Sequence, residues 1–396
     1  MKRNSIRPMH IAASTLLAVL CASAGQSIAG PREQAKRIHD RLVGTPPTTA
    51  TLDAMAAKVA AGDGVGAALD AIRNPAFYNT TLKNFVTPWT NEDKNVFAEL
   101  NDYTATVIGM VRDDVPFNEV LSADILYQGA PGVVATDFSL ADNAHYVELE
   151  TTHVDLSDPT KLVRTTQSTQ PGSQVDATTA AGVMTTRAFA EAFFKDGTNR
   201  RALRFTSINF LCRDMEQLSD ISRPADRVRQ DISRSPGGDS ALFLNTCVGC
   251  HAGMDALSGA FAYYDFEATD TAGRLIYTAN EVRPKYLING NTFPTGYVTT
   301  DNSWINYWRV GANAGLGWNA ALPSVGVGAK SLGQEIASTR AFAQCQAQKV
   351  FESVCFRSAS SPTDRAEIER VATVFETSNY NLKRVFAETA NFCKGP

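Results

Sequence analysis

The chain holds few of the residues that most enzyme classes depend on, with only five histidines among 396 residues. It has no G-x-S-x-G elbow, no P-loop and no H-E-x-x-H pair, which excludes the common serine-hydrolase, nucleotidase and zincin arrangements. Gly64, Val65 and Gly66 lack the further glycine and the preceding strand of a dinucleotide site, so no nucleotide cofactor is expected. Neither sign of charge dominates: 37 Lys and Arg face 41 Asp and Glu, a net charge of -4. Such a mildly acidic balance argues against nucleic acid as a partner. After the amino terminus no run is apolar enough to cross a bilayer, so no stable membrane span is expected.

What the chain does hold is concentrated at Cys247, Val248, Gly249, Cys250 and His251. Two thiols at this spacing can each form a thioether with one haem vinyl group, and the adjacent imidazole then faces the iron. Roughly 0.002 such matches are expected by chance in a chain of this composition. The alternatives are a local disulfide or an adventitious metal site. No second C-x-x-C-H occurs, so one covalent haem c is expected, bound by Cys247, Cys250 and His251, with His251 as the proximal iron ligand.

Haem c is attached outside the cytoplasm, and the amino terminus reads accordingly. Lys2, Arg3 and Arg7 precede an apolar run from Ile11 to Ala24, with small residues at Ala24 and Ala29 where cleavage is plausible. The run is shorter than the ~20 residues of a spanning helix. A cleaved signal over residues 1–29 is expected, and with it a periplasmic or secreted protein. Removal of that segment moves the net charge to about -7. Four cysteines then remain beside the haem pair: Cys212, Cys345, Cys355 and Cys393. An even number in an oxidising compartment suggests two disulfides. Cys345 and Cys355 lie on one helical pattern with roughly 15 Å of rise between them, too far to bond each other. If that helix is continuous, Cys212 and Cys393 each pair with one of them; buried free thiols are the alternative.

The hydrophobic pattern is mostly α. It predicts a helical amino-terminal domain over 30–128, a loop-rich and partly β connector over 129–182, a haem c domain with an aromatic-rich loop over 183–330, and a helical carboxy-terminal domain over 331–396. Leu52, Met55, Ala56 and Val59 recur at helical spacing with Thr51 as a candidate cap, and Val96, Leu100, Tyr103, Val107 and Val111 make a longer stripe. Met55 and Met110 read as packing residues. Tyr146 to Leu149 alternates apolar with polar, as a short strand does. Helices are expected from Thr185 to Gln217 and from Ser240 to Leu257, the latter carrying the haem motif. Trp304, Tyr307, Trp308 and Trp318 wall a haem or form a minor core with equal plausibility. Ser361, Pro362 and Asp364 read as a helix start.

From Cys247 through Asp265 the sequence resembles a family of secreted cytochrome-c-like proteins of uncharacterised function, frequent in planctomycetes, whose haem segment reads C-x-x-C-H-x-x-M-D-P-x-G-F-A-L-E-N-F-D. Cys247, Cys250, His251, Met254, Asp255 and Asp265 match that segment, while Ala256, Ser258, Gly259 and Ala262 depart from it. The stretches Met110 to Asp124, Asn199 to Cys212 and Cys345 to Arg357 are also similar to the family. The resemblance implies a cytochrome-c-like helical haem domain and supplies no substrate.

The sixth iron position decides the chemistry: a thioether or imidazole there closes the centre for electron transfer, whereas an open position admits peroxide or oxygen. Met254 follows His251 too closely to reach the opposite face and is expected at the porphyrin edge. Asp255 is expected to cap or orient the local backbone, receiving the imidazole N–H only if the chain turns sharply. The distal candidates are Met184, Met215, His145 and His153, with Met184 first among them. Arg187, Arg200, Arg201 and Arg204 are candidates for the haem propionates. The reading favoured is electron transfer to a periplasmic redox partner protein. A haem enzyme with an open sixth site is the alternative, since the chain is far longer than the ~100 residues of a single small domain; a structural haem is a third.

Overall fold

The computed structural model describes residues 29–269 and 272–395, so the expected signal segment lies outside the described residues except for its last position. The architecture is mostly α-helical, with three short antiparallel strand pairs.

Three helices open the described chain. Helix α1 (Pro31–Val43) begins on a proline, whose missing N–H costs nothing in a first turn, and stops at Gly44 in the left-handed region at φ 75°. Helix α2 (Thr49–Ala60) is capped by Thr48, whose hydroxyl accepts from the Thr51 amide at 3.2 Å. The cap therefore precedes the expected Thr51 by three residues. Asp63 caps α3 (Gly64–Ile72) in the same way.

Helix α4 (Asp102–Arg112) is buried along nearly its whole length, with Met110 fully enclosed. Asn101 caps it through the Thr104 amide, so the expected stripe starts too early: Val96 lies in an exposed turn. Strands β1 (Leu126–Gly129) and β2 (Leu162–Thr165) pair against α4, Leu126 opposite Thr165.

Between those strands the expected strand at Tyr146 to Leu149 is instead a helix, α5 (Ala144–Thr151). Tyr146 and Leu149 are buried at a spacing of three, which suits a helix, and Glu148 turns outward to accept from the Ala135 and Thr136 amides. Two residues of alternation are too few to fix a period.

The expected helix from Thr185 to Gln217 is two helices, α6 (Arg187–Phe193) and α7 (Arg200–Leu211), broken where Asn199 takes a left-handed conformation at φ 57°. The motif helix α8 (Val248–Ser258) leads into the hairpin of β3 (Tyr264–Ala268) and β4 (Gly273–Tyr277). The aromatic loop contributes β5 (Ser303–Ile305) and β6 (Val325–Val327).

Helices α9 (Gly328–Ala337), α10 (Arg340–Cys355), α11 (Pro362–Thr377) and α12 (Leu382–Phe392) close the chain. α12 packs on α3, α10 and α1, so the first and last helices share one core, which runs from Ala35 to Ala390. Because α10 is continuous across Cys345 and Cys355, each bonds a distant partner. Cys212 joins Cys345 with Cα atoms 5.2 Å apart, and Cys355 joins Cys393 at 5.6 Å. Among the described residues no helix is long and apolar enough to cross a membrane.

Candidate functional site

The motif enters through a deliberate irregularity. Asp239 caps a single α-turn at Ser240–Leu242, a π-turn follows at Phe243–Cys247, and regular helix resumes at Val248. A π-turn inserts an extra residue into the helical register, and such turns concentrate at functional sites. Cys247 and Cys250 are both free and half-buried. Cys247 borders a satellite cluster of Val228, Phe243, Val248 and Ala252, whereas Cys250 borders the main core.

The chain from Met215 to Ile221 passes close over the first turn of α8. The Asp220 amide donates to the Gly249 carbonyl at 3.0 Å, and a Cβ at position 249 would strike the Ser219 hydroxyl. The Cys250 thiol lies 3.4 Å from the Met215 carbonyl. Burial raises its pKa and the nearby Glu216 carboxylate adds to the effect, against a lowering contribution from the Ser219 hydroxyl. A raised thiol is unlike the activated thiolates of redox C-x-x-C pairs.

His251 is one-fifth exposed, and its Nδ1 is turned inward, 3.5 Å from Asp255 Oδ1. That nitrogen is buried without a hydrogen-bond partner among the described residues, which leaves Nε2 as the atom available to iron. No sharp turn is needed, contrary to expectation: positions 251 and 255 are one helical turn apart and share a face.

Asp255 is wholly buried. Arg200 grips it with Nε at 2.5 Å and Nη2 at 2.9 Å, and the Arg229 amide donates to Oδ2 at 3.2 Å. Arg200 is itself held by Asp231 through two bonds of 2.5 and 2.8 Å. Burial pushes the Asp255 carboxyl up, but His251, Arg200 and Arg229 outweigh it and hold the group far below the usual carboxylate range. An ionised carboxylate therefore stands behind the imidazole.

The other candidates fall in different places. Met184 is fully buried in a 3-10 turn that packs on α4, α6 and α9. Met215 is also buried in the main core, and only its backbone carbonyl meets the motif, at Cys250. His145 accepts from the Gly129 amide at Nε2 and meets the Thr136 carbonyl at Nδ1, so both ring nitrogens are engaged in the fold. His153 lies on the surface.

All four arginines face carboxylates: Arg187 with Glu191, Arg200 with Asp231 and Asp255, Arg201 with Glu92, and Arg204 with Asp214. Trp304 and Trp308 belong to the main core, and Trp308 lies flat against Gly253 on α8. The loop thus braces the back of the motif helix.

The residues fit a covalent haem: two free thiols and an accessible imidazole lie within five consecutive positions, with the inward ring nitrogen already facing an acceptor. Among the described residues no group of three or more His, Cys, Asp or Glu side chains converges as a metal cage. The cluster of Arg200, Arg229 and Asp231 around Asp255 is not legible from sequence, because its members are scattered from position 200 to position 255. Only the four-residue interval between His251 and Asp255 signalled part of it. In comparisons with known proteins, no family model, no curated sequence and no solved structure matches this chain.

Proposed function

We propose that this chain is a periplasmic c-type cytochrome with a single haem, and that it passes electrons to a periplasmic redox partner protein. The observation that carries the proposal is the conjunction at α8 of two free, half-exposed thiols with an imidazole whose Nδ1 is turned to a buried carboxylate. Cys247 and Cys250 would hold the haem by redox-neutral addition of S–H across its two vinyl groups. His251 would hold the iron through Nε2, and Asp255 would orient the ring. The haem, once bound, supplies a one-electron couple.

A second reading, a haem enzyme with an open sixth position, draws on a different observation. His145 is engaged on both nitrogens, His153 lies on the surface, and the Met184 and Met215 side chains both pack in the main core. The two readings part in the visible spectrum of protein matured in a periplasm. For electron transfer the expected spectrum is low-spin in both oxidation states and unmoved by cyanide, CO or peroxide. A high-spin spectrum that shifts with those ligands transfers the assignment to the enzyme. Haem staining that survives removal of both Cys247 and Cys250 overturns covalent attachment altogether.

A further inference from the structure

Resting on the haem reading above, we infer that Asp255 is a positioning residue that sets the reduction potential of the centre through His251, with Arg200 and Asp231 as its clamp. Three observations carry this. The carboxylate is completely buried and lies one helical turn from the ligand, with Oδ1 3.5 Å from Nδ1. Nδ1 has no hydrogen-bond partner among the described residues, so the carboxylate is the acceptor it faces. The carboxylate cannot swing away, because Arg200 takes it in a fork at 2.5 and 2.9 Å and Asp231 fixes Arg200 from the other side.

A ring N–H aimed at a fixed anion makes the imidazole a stronger donor, which favours ferric over ferrous iron and lowers the potential. The clamp limits this effect, since Arg200 draws on the same oxygens. Two carboxylates facing two guanidiniums, those of Arg200 and Arg229, also leave the buried cluster without net charge, which explains how an ion can be kept there.

The test is potentiometry on the haem-loaded full chain, with the NMR shift of the His251 Nδ1 proton in the reduced, low-spin protein as a second readout. Asp255→Asn keeps the shape and removes the anion. It should shift the oxidised-to-reduced equilibrium about tenfold toward ferrous iron, a rise of about 59 mV for one electron, with an upfield move of the Nδ1 proton. Asp255→Glu should recover part of both. A purely structural aspartate would change stability while leaving potential and proton shift in place, and that result overturns the inference.

If Asp255→Asn does not mature, Arg200→Lys decides: loosening the fork frees the carboxylate for His251 and should lower the potential, and an unchanged potential again overturns the inference. Absence of covalent haem from the unmodified protein defeats the underlying haem reading instead. The two failures are therefore distinct.

Discussion

At Gly253 there is no room for a methyl group, because the Trp308 indole occupies the place where a Cβ would stand. Trp308 is fully buried and cannot step aside. Gly253→Ala should therefore cost about 2 kcal/mol, the usual scale of an overpacked core, measured as a lower urea midpoint with an unchanged slope. The same substitution leaves Cys247, Cys250 and His251 in place, so haem staining of the folded fraction should persist. Single residues were read unevenly from sequence. The C-x-x-C-H pattern is legible because its five positions are contiguous. Asp255 was visible but undervalued, since its partner is set by helical periodicity rather than by proximity along the chain. Arg200 was noticed for the wrong partner. An arginine reveals its charge in a sequence, but not that Asp231 and Asp255 meet it in the fold.

Among the elements, α11 was the most legible. Ser361 accepts from the Asp364 amide at 3.0 Å, Asp364 accepts from the Ser361 amide at 3.2 Å, and Pro362 fills the first turn between them. Ser361→Ala should cost about 1 kcal/mol, seen as a small fall in Tm. Removing the Cys355–Cys393 bond by Cys393→Ser should cost more, about 2–4 kcal/mol, because that bond ties the end of α10 to the end of α12 across 38 positions. Its reducing-agent dependence is the check: under strong reductant, which opens both disulfides, unmodified protein and variant should converge in Tm. Elsewhere the boundaries slipped where polar side chains compete with the backbone. Thr48 and Asn101 cap helices whose starts the apolar pattern alone had misplaced. Asn199 breaks in two what reads as one helix, since a left-handed residue leaves no mark on hydrophobic spacing. Strand pairs are short and joined across distant segments, β1 to β2 above all, so local alternation says little about them.

For the molecule as a whole, the mostly α class followed from periodicity, whereas the meeting of the first helices with the last did not, because no local pattern encodes which faces touch. The distribution of ion pairs sets the response to acid. The Arg357 guanidinium holds the Asp364 carboxyl below the usual carboxylate range, and Arg204 does the same for Asp214. Asp155 and Asp220 are also lowered, by neighbouring hydroxyls, amides and cations against a raising effect of burial. Lowered native values mean that the unfolded chain binds protons first. Their stabilisation is present above the ordinary carboxylate value of about 4 and is lost as pH falls through the native values. Buried Asp102, raised by desolvation, runs the other way but stands against several groups. Denaturation midpoints should therefore begin to drop below about pH 5 and keep falling through the lowered native values, and a flat profile contradicts this account. At the seam between the helices, Arg37 donates to the Lys394 carbonyl at 3.0 Å and Gln34 reaches the Gly395 carbonyl at 3.3 Å. The two ends of the described fold are neighbours, so a short peptide could splice them and new ends be cut at an exposed turn such as that around Phe97. A circular permutant of this kind would move the start of synthesis to the middle of the molecule and still rebuild the same core, with the helix that carries Cys250 and His251 emerging at a different moment.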